Sequence, residues 1–134
     1  MNSFICAIAS NDGDNYTDTH FGDAKYYLLY EFSADSAESL KTISNTTKPD
    51  KEDIHGDPQK AGSVMQMLKK ENVQVVAAGV FGPNIKRIKN QFVCLLMGQG
   101  AISQSIPHII NNYNTINDEW NKDEERSYLN LKRS

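Results

Sequence analysis

The second half of the chain alternates apolar runs with amphipathic stretches, and this alternation constrains the fold most. The runs at residues 73–79 (VQVVAAG) and 91–97 (QFVCLLM) predict buried strands. One helix is predicted to open at Pro83, and another to span residues 101 to about 112. Strands joined by helices pair in parallel through right-handed crossovers. This half of the sequence therefore predicts part of an α/β sheet.

The first half predicts strands that follow one another without an intervening helix. Residues 4–9 form a nearly continuous apolar run, typical of a central strand buried on both faces. Further strands are predicted at residues 25–32 and 40–46, which favours an antiparallel meander. A helix is predicted at residues 58–70, where apolar side chains recur at helical spacing. We predict a mixed five-stranded sheet with helices packed on it, in one α/β domain.

The length and the end of the sequence set the expected domain organisation. The chain has 134 residues, which is about one domain. Residues 1–113 carry the strand and helix pattern, whereas residues 114–134 form a charged extension containing Trp120. This extension is either a partly ordered tail or an added helix that docks on the core or on a second subunit. We expect a short helix at about residues 118–129 between loosely ordered ends.

Composition narrows the class of protein. The net charge of −3 argues against a general nucleic-acid binder, which would present a basic face. The sequence contains no apolar run of about 18 residues, and its start lacks the pattern of a signal peptide. Cys6 and Cys94 lie inside apolar runs and form no CxxC motif, as expected of reduced packing residues. We therefore expect a cytoplasmic protein without membrane segments.

A polar loop at residues 10–23 ends in His20, Phe21 and Gly22, immediately before a predicted strand. Loops of this length are usually functional or disordered. Because the loop follows the central strand, we expect it at the carboxyl edge of the sheet, where open α/β sheets bind ligands. Helices that follow parallel strands direct their N-termini to that edge, which favours an anion. The sequence therefore predicts that His20 lies over an anion-binding crevice.

Each candidate also has a plain structural interpretation. A single loop histidine is more often an exposed side chain than a ligand, but Gly22 and the other glycine turns favour a ligand at His20. His55 lies just before the helix predicted at residues 58–70, and for it ligand and structural roles remain equally open. His108 is interpreted as a surface residue. The acidic residues of the loop at 10–23 lack the regular spacing of a calcium site and are interpreted as a solvated loop.

Five stretches in order resemble the dinitrogenase iron–molybdenum cofactor biosynthesis family. They are IASNDGD, THFGDAKYYLLYEF, HGDPQKA, AAGVFGPNIKRI and MGQGAISQSI, and the resemblance covers roughly residues 3–113. The most specific parts are HFGDAKYY and GPNIKR. The resemblance implies a ribonuclease H-like, three-layer α/β architecture. It also implies that the chain binds, carries or inserts metal–sulfur clusters, with cluster donor and acceptor proteins as partners.

The resemblance also implies where a cluster would lie. The loops contain no cysteine, which argues against a cysteine-ligated iron–sulfur centre. An anionic cluster held by one imidazole, backbone N–H groups and cations such as Lys86 or Arg87 is compatible with the residues. Such a cluster would be loosely bound and easily lost on purification. His20 is the implied metal ligand. The implied cofactor-binding residues are His20, Phe21, Gly22, Gly82, Pro83, Asn84, Gly98 and Gly100.

Three functions remain to be distinguished. The first is a cluster carrier that is not an enzyme and binds no nucleic acid. The second is a cofactor-free regulatory or interaction module that uses the tyrosine-rich strand or the extension. The third is a two-metal nuclease, which is least favoured because the strand at residues 4–9 contains no acid. A homo-oligomer is compatible with each of them.

Overall fold

The structure is a computed structural model that describes residues 2–45 and 58–132, with the side chains of residues 58–62 left out. The described part forms one mixed sheet with helices on both faces. The strands are β1 (Phe4–Ser10), β2 (Tyr26–Phe32), β3 (Ala37–Ser44), β4 (Val75–Ala78), β5 (Val93–Leu96) and β6 (Leu129–Asn130). The helices are α1 (Pro58–Lys70), α2 (Ile85–Gln91), α3 (Ile102–Asn111) and α4 (Tyr113–Trp120).

The sheet has the order β3-β2-β1-β4-β5-β6, with β1 near its centre. β1, β2 and β3 form an antiparallel meander, and β4 and β5 continue the sheet in parallel with β1. Ala7 of β1, for example, pairs with Leu29 on one side and with Val76 on the other. The predicted combination of a meander with parallel crossovers is confirmed.

The alternation of side chains along each central strand divides the core into two clusters. Cys6 and Ile8 of β1 pack in the cluster that includes α3 and α4. Ala7 and Ala9 pack in the opposite cluster, which includes Leu68 of α1. Successive residues of a strand point to opposite faces, so an apolar run without alternation predicts burial on both. Helices therefore cover both faces of the sheet, and the three-layer α/β architecture is confirmed.

The sheet has six strands in the described residues, so the prediction of five is corrected. β6 pairs in parallel with β5, and the N–H of Leu131 donates a hydrogen bond to the carbonyl of Leu96 at 2.9 Å. β6 is two residues long and lies in the charged extension. A strand that short has no periodic pattern, which is why the sequence gives no sign of it.

The extension is packed against the domain through a helix and a buried arginine. The helix expected at about residues 118–129 instead occupies Tyr113–Trp120, and its Ile116 is fully buried. Arg126 is 4% exposed, and its guanidinium carbon lies 4.4 Å from the centre of the Trp120 ring. Its guanidinium donates to the carbonyls of Trp120 at 2.8 Å and of Asn90 at 3.1 Å. Arg126 thereby ties the extension to the end of α2.

None of the helices in the described part of the chain is both long enough and apolar enough to cross a membrane.

Candidate functional site

The loop between β1 and β2 lies across the carboxyl ends of the parallel strands. It begins with a bridge between Asn15 and Ala101, which follows β5. It ends with a parallel bridge between His20 and Val80, which follows β4. The loop therefore contacts the segments that leave two neighbouring strands, at the edge where open α/β sheets bind ligands.

Asp12 organises the first half of this loop. Its carboxylate accepts hydrogen bonds from the backbone N–H groups of Asp14 and Asn15, both at 2.8 Å, and from the Asn15 side chain at 3.0 Å. The Asn15 side chain, followed by the two backbone donors, holds the pKa of Asp12 well below its usual range. Because both carboxylate oxygens accept hydrogen bonds, Asp12 has a structural role in the loop. This agrees with the interpretation of the acidic residues as part of a solvated loop.

The second half of the loop is fixed from beneath by β2 and the end of β3. The Asn45 side chain donates to the carbonyls of Gly22 at 3.0 Å and Ala24 at 2.8 Å. The hydroxyl of Tyr27 donates to the carbonyl of Phe21 at 2.6 Å. Burial raises the pKa of Tyr27 well above its ordinary value, so this hydroxyl stays protonated. These bonds hold the backbone that carries His20.

Phe21 anchors this part of the loop in the core. It is 1% exposed, and its ring stacks on Phe81 with the ring centres 5.6 Å apart. The side chain therefore lies inside the apolar cluster that includes α1 and α2. From this position Phe21 can support His20, whereas its ring is not available to a ligand at the surface.

His20 lies directly against Gly82. A Cβ atom built on Gly82 would lie 2.5 Å from Nδ1 and 2.7 Å from Cε1 of the imidazole. His20 is half-buried, and its Nδ1 is shielded from solvent. The ring atoms nearest to that Cβ are Nδ1, Cε1 and Cγ, so this side of the imidazole packs on the turn at Gly82. The structure thus brings together two residues that the family resemblance marks as cofactor-binding.

The other two predicted glycines lie at the opposite end of the same edge. The N–H of Tyr16 donates to the carbonyl of Gly100 at 3.0 Å. Gly79 connects the two ends, since a Cβ built on it would lie 2.4 Å from the carbonyl oxygen of Thr17 and 2.9 Å from that of Gly98. Only a residue without a side chain fits between these two loops. The turns after β4 and β5 and the loop after β1 are therefore in contact.

The helix that follows the turn at Gly82 begins later than expected. Pro83 was expected to open the helix, but α2 begins at Ile85 and Asn84 occupies the N-cap position. α2 spans seven residues, so we assign no anion-binding role to its N-terminus. Lys86 and Arg87 on its first turns are exposed.

Two cavities lie beside the loop, and Tyr16 lines both of them. A cavity of about 330 Å³ is lined by Asp12 and Asp18 of the loop together with Gln99. A second cavity, of about 200 Å³, is lined by the turn at residues 98–101 and by Lys132. Sequence reasoning missed Lys132, because the extension was expected to be loose. No local pattern places it at this edge.

The donor set at the edge is sparse. Within residues 2–45 and 58–132, no group of three or more histidine, cysteine, aspartate or glutamate side chains is arranged to hold a metal ion. Cys6 and Cys94 are buried free thiols, and burial raises the pKa of each well above its ordinary value. His55 lies outside the described residues. The described side chains therefore fit a ligand bound through few protein donors better than a fully protein-ligated ion.

The described residues form a three-layer α/β domain whose loops gather over the carboxyl ends of its parallel strands, the edge at which open α/β sheets bind ligands. The dinitrogenase iron–molybdenum cofactor family matches residues 2–113, and the chain belongs to this family. The family resemblance proposed from the sequence is confirmed, and the chain is associated with the biology of the iron–molybdenum cofactor.

The fold is shared with a solved protein. The crystal structure of a candidate dinitrogenase from Methanocaldococcus jannaschii is similar, with a TM-score of 0.51 and 19% sequence identity. The alignment covers 84% of this chain and 89% of that one. At this identity the similarity shows the fold alone. No curated protein sequence matches the chain.

Proposed function

We propose that the chain binds and carries an anionic metal–sulfur cluster of the iron–molybdenum type during cofactor assembly, without catalysing a reaction. The family association supports the class of cargo. The observation that carries the proposal is the placement of His20, whose imidazole packs on the turn at Gly82 with its Nδ1 shielded from solvent. A half-buried imidazole fixed by its surroundings is pre-organised to bind a ligand.

Imidazole is chemically suited to this cargo. A neutral imidazole nitrogen is a common ligand for iron and copper, and the contact made by its other nitrogen fixes which one is available. The sulfides of such a cluster carry negative charge, which backbone N–H groups and nearby cations stabilise. A cargo with one protein ligand dissociates readily. Easy release suits a carrier that receives a cluster from a donor protein and passes it to an acceptor.

The predicted site residues have different roles in this proposal. His20 is the metal ligand, and Gly82 allows the imidazole to approach the turn. Gly22, Pro83 and Asn84 are proposed to line the cargo site beside His20. Gly98 and Gly100 border it at the other end of the edge, where they line the smaller cavity.

Anaerobic titration tests the proposal. Wild type, His20→Ala and His20→Asn would be titrated with a preformed molybdenum–iron–sulfur or thiomolybdate–copper species, followed by visible absorption. Asparagine keeps a polar group near the position of Nδ1 but has no atom equivalent to Nε2. We therefore expect saturable binding by wild type and loss of binding in both variants. Their urea unfolding midpoints control for the fold.

The outcomes separate the candidate functions. Full affinity in both folded variants would remove His20 from the site. Absence of binding by wild type would refute the carrier function and favour the interaction module. One observation favours that alternative specifically: among the described strands β3 lies at an edge of the sheet, and residues 38–42 along it are exposed. An open edge strand can pair with a strand of a partner.

A further inference from the structure

The C-terminal extension brings a lysine to the edge of the sheet where the loops meet. β6 runs parallel to β5, so the residues that follow each strand emerge at the same edge. The N–H of Leu131 donates to Leu96 at 2.9 Å, and Nε2 of His108 lies 3.0 Å from the carbonyl oxygen of Leu131. These contacts on both sides of Leu131 determine the position of Lys132.

The side chain of Lys132 lies along the turn after β5. A Cβ built on Gly98 would lie 3.1 Å from Cγ and 3.3 Å from Cδ of Lys132, so the aliphatic stem covers this glycine. Lysine often packs its stem on a neighbour while its ammonium group stays available to polar partners. Within residues 2–45 and 58–132, no side chain forms an ion pair with its ammonium group.

The cavity lined by Lys132 and the neighbouring cavity carry charges of opposite sign in their walls. The cavity of about 200 Å³ is lined by the turn at residues 98–101, by Gln104 and by Lys132, and none of its described lining residues is acidic. The cavity of about 330 Å³ contains Asp12 and Asp18 in its wall. An anion at this edge is therefore favoured on the side of Lys132 and disfavoured on the other.

We propose that Lys132 is a cargo-binding residue, which holds the anionic sulfide side of the cluster in the cavity beside Gly98. This inference depends on the proposed carrier function. It identifies a residue that determines the preference of the chain for anionic cargo. The cavity adjoins the turn after β4, because Gly79 lies between the carbonyls of Thr17 and Gly98. The family match ends at residue 113, so the extension adds this charge from outside the family domain.

Tetrathiomolybdate, a small anionic molybdenum sulfide, is the probe. Its binding would be followed anaerobically by visible absorption for wild type, His20→Ala, Lys132→Met, Lys132→Arg and Lys70→Met. Methionine keeps an aliphatic stem on Gly98 and removes the charge. Lys70 is an exposed lysine at the end of α1, five residues before β4, so its substitution removes the same charge at the opposite edge of the sheet.

We expect Lys132→Met to weaken binding roughly fivefold at low ionic strength, as for loss of one partly exposed charge contact. Lys132→Arg retains the charge and should bind as wild type does, and so should Lys70→Met. High ionic strength should narrow the difference between wild type and Lys132→Met, because salt screens exposed charges.

Two results would overturn the inference in distinguishable ways. If Lys132→Met binds as tightly as wild type while His20→Ala does not bind, Lys132 has no role and the carrier function stands. If Lys70→Met weakens binding as much as Lys132→Met, the effect is one of overall charge and not of this cavity. If wild type shows no saturable binding, the carrier function fails and the inference fails with it.

Discussion

The close approach of Gly82 to His20 makes a quantitative prediction for Gly82→Ala. Gly82 has a φ of +80°, where an L-residue costs about 1–2 kcal/mol. The new Cβ would also lie 2.5 Å from Nδ1 of His20, so the imidazole must move by roughly 1 Å to restore ordinary contact. Forcing such a shift costs about 1–3 kcal/mol in addition. We expect Gly82→Ala to destabilise the fold by about 2–5 kcal/mol.

Gly13 provides a matched control for the backbone term. Its φ is +87°, but a Cβ built on it meets nothing within 4 Å. Gly13→Ala should therefore cost only the conformational term of about 1–2 kcal/mol. Urea unfolding monitored by far-ultraviolet circular dichroism would measure both variants. The excess cost of Gly82→Ala over Gly13→Ala then reports the contact with the imidazole.

A double-mutant cycle with His20→Ala isolates the contact itself. Removing the imidazole removes the clash, so Gly82→Ala in the His20→Ala background should cost no more than Gly13→Ala. The expected coupling energy is about 1–3 kcal/mol. In cluster titrations, Gly82→Ala alone should also weaken binding, because it displaces Nε2. A coupling energy near zero, with equal costs for the two glycine variants, would show that the imidazole moves aside freely and is not pre-organised.

Three further predictions concern the loop, the extension and the core. The pKa of Asp12 is depressed in the folded state, so its stabilisation is present above the unfolded pKa of about 4 and is lost as the pH falls towards the folded value. The stability advantage of wild type over Asp12→Asn in urea unfolding should therefore be full at pH 7 and shrink below about pH 4; a constant difference would contradict the assignment. Arg126→Ala removes a buried side chain and the donors to the carbonyls of Trp120 and Asn90, and should cost roughly 2–4 kcal/mol, seen as faster hydrogen exchange at residues 113–132. The exposed Arg87→Ala should stay within about 0.5 kcal/mol. Ile116→Ala removes a fully buried side chain and should cost roughly 2–5 kcal/mol in urea unfolding, and a cost under about 0.5 kcal/mol would show that α4 is not integral to the core.

Much of the sheet could be predicted from the sequence because its strands carry strong local signals. The apolar run that became β1 has no alternation, which is the pattern of burial on both faces, and the structure places it near the centre. The 58–70 helix has the bounds expected from its apolar spacing. Such signals are contained within a few residues, so they can be recognised without knowing which distant residues the segment contacts.

The features that the sequence did not reveal depend on distant partners. β6 is a strand because Leu131 pairs with Leu96, and no local sequence pattern indicates this pairing. His108, expected at the surface, contacts the carbonyl of Leu131 for the same reason. At the candidate site, His20 and Gly82 were both expected at the carboxyl edge. Their direct contact was not expected, because side-chain packing, and not the local sequence pattern, determines how closely a loop approaches the sheet.

The stacking of Arg126 on Trp120 has a spectroscopic consequence. Trp120 is the only tryptophan of the chain, so its fluorescence reports the surroundings of one place, the junction between the extension and the domain. The backbone signal of circular dichroism comes mostly from the sheet and the other helices. If the extension detaches before the sheet unfolds, tryptophan emission will change at a lower urea concentration than circular dichroism. A pair of optical measurements on unlabelled protein can therefore follow the release of Lys132 from the carboxyl edge separately from the loss of the fold.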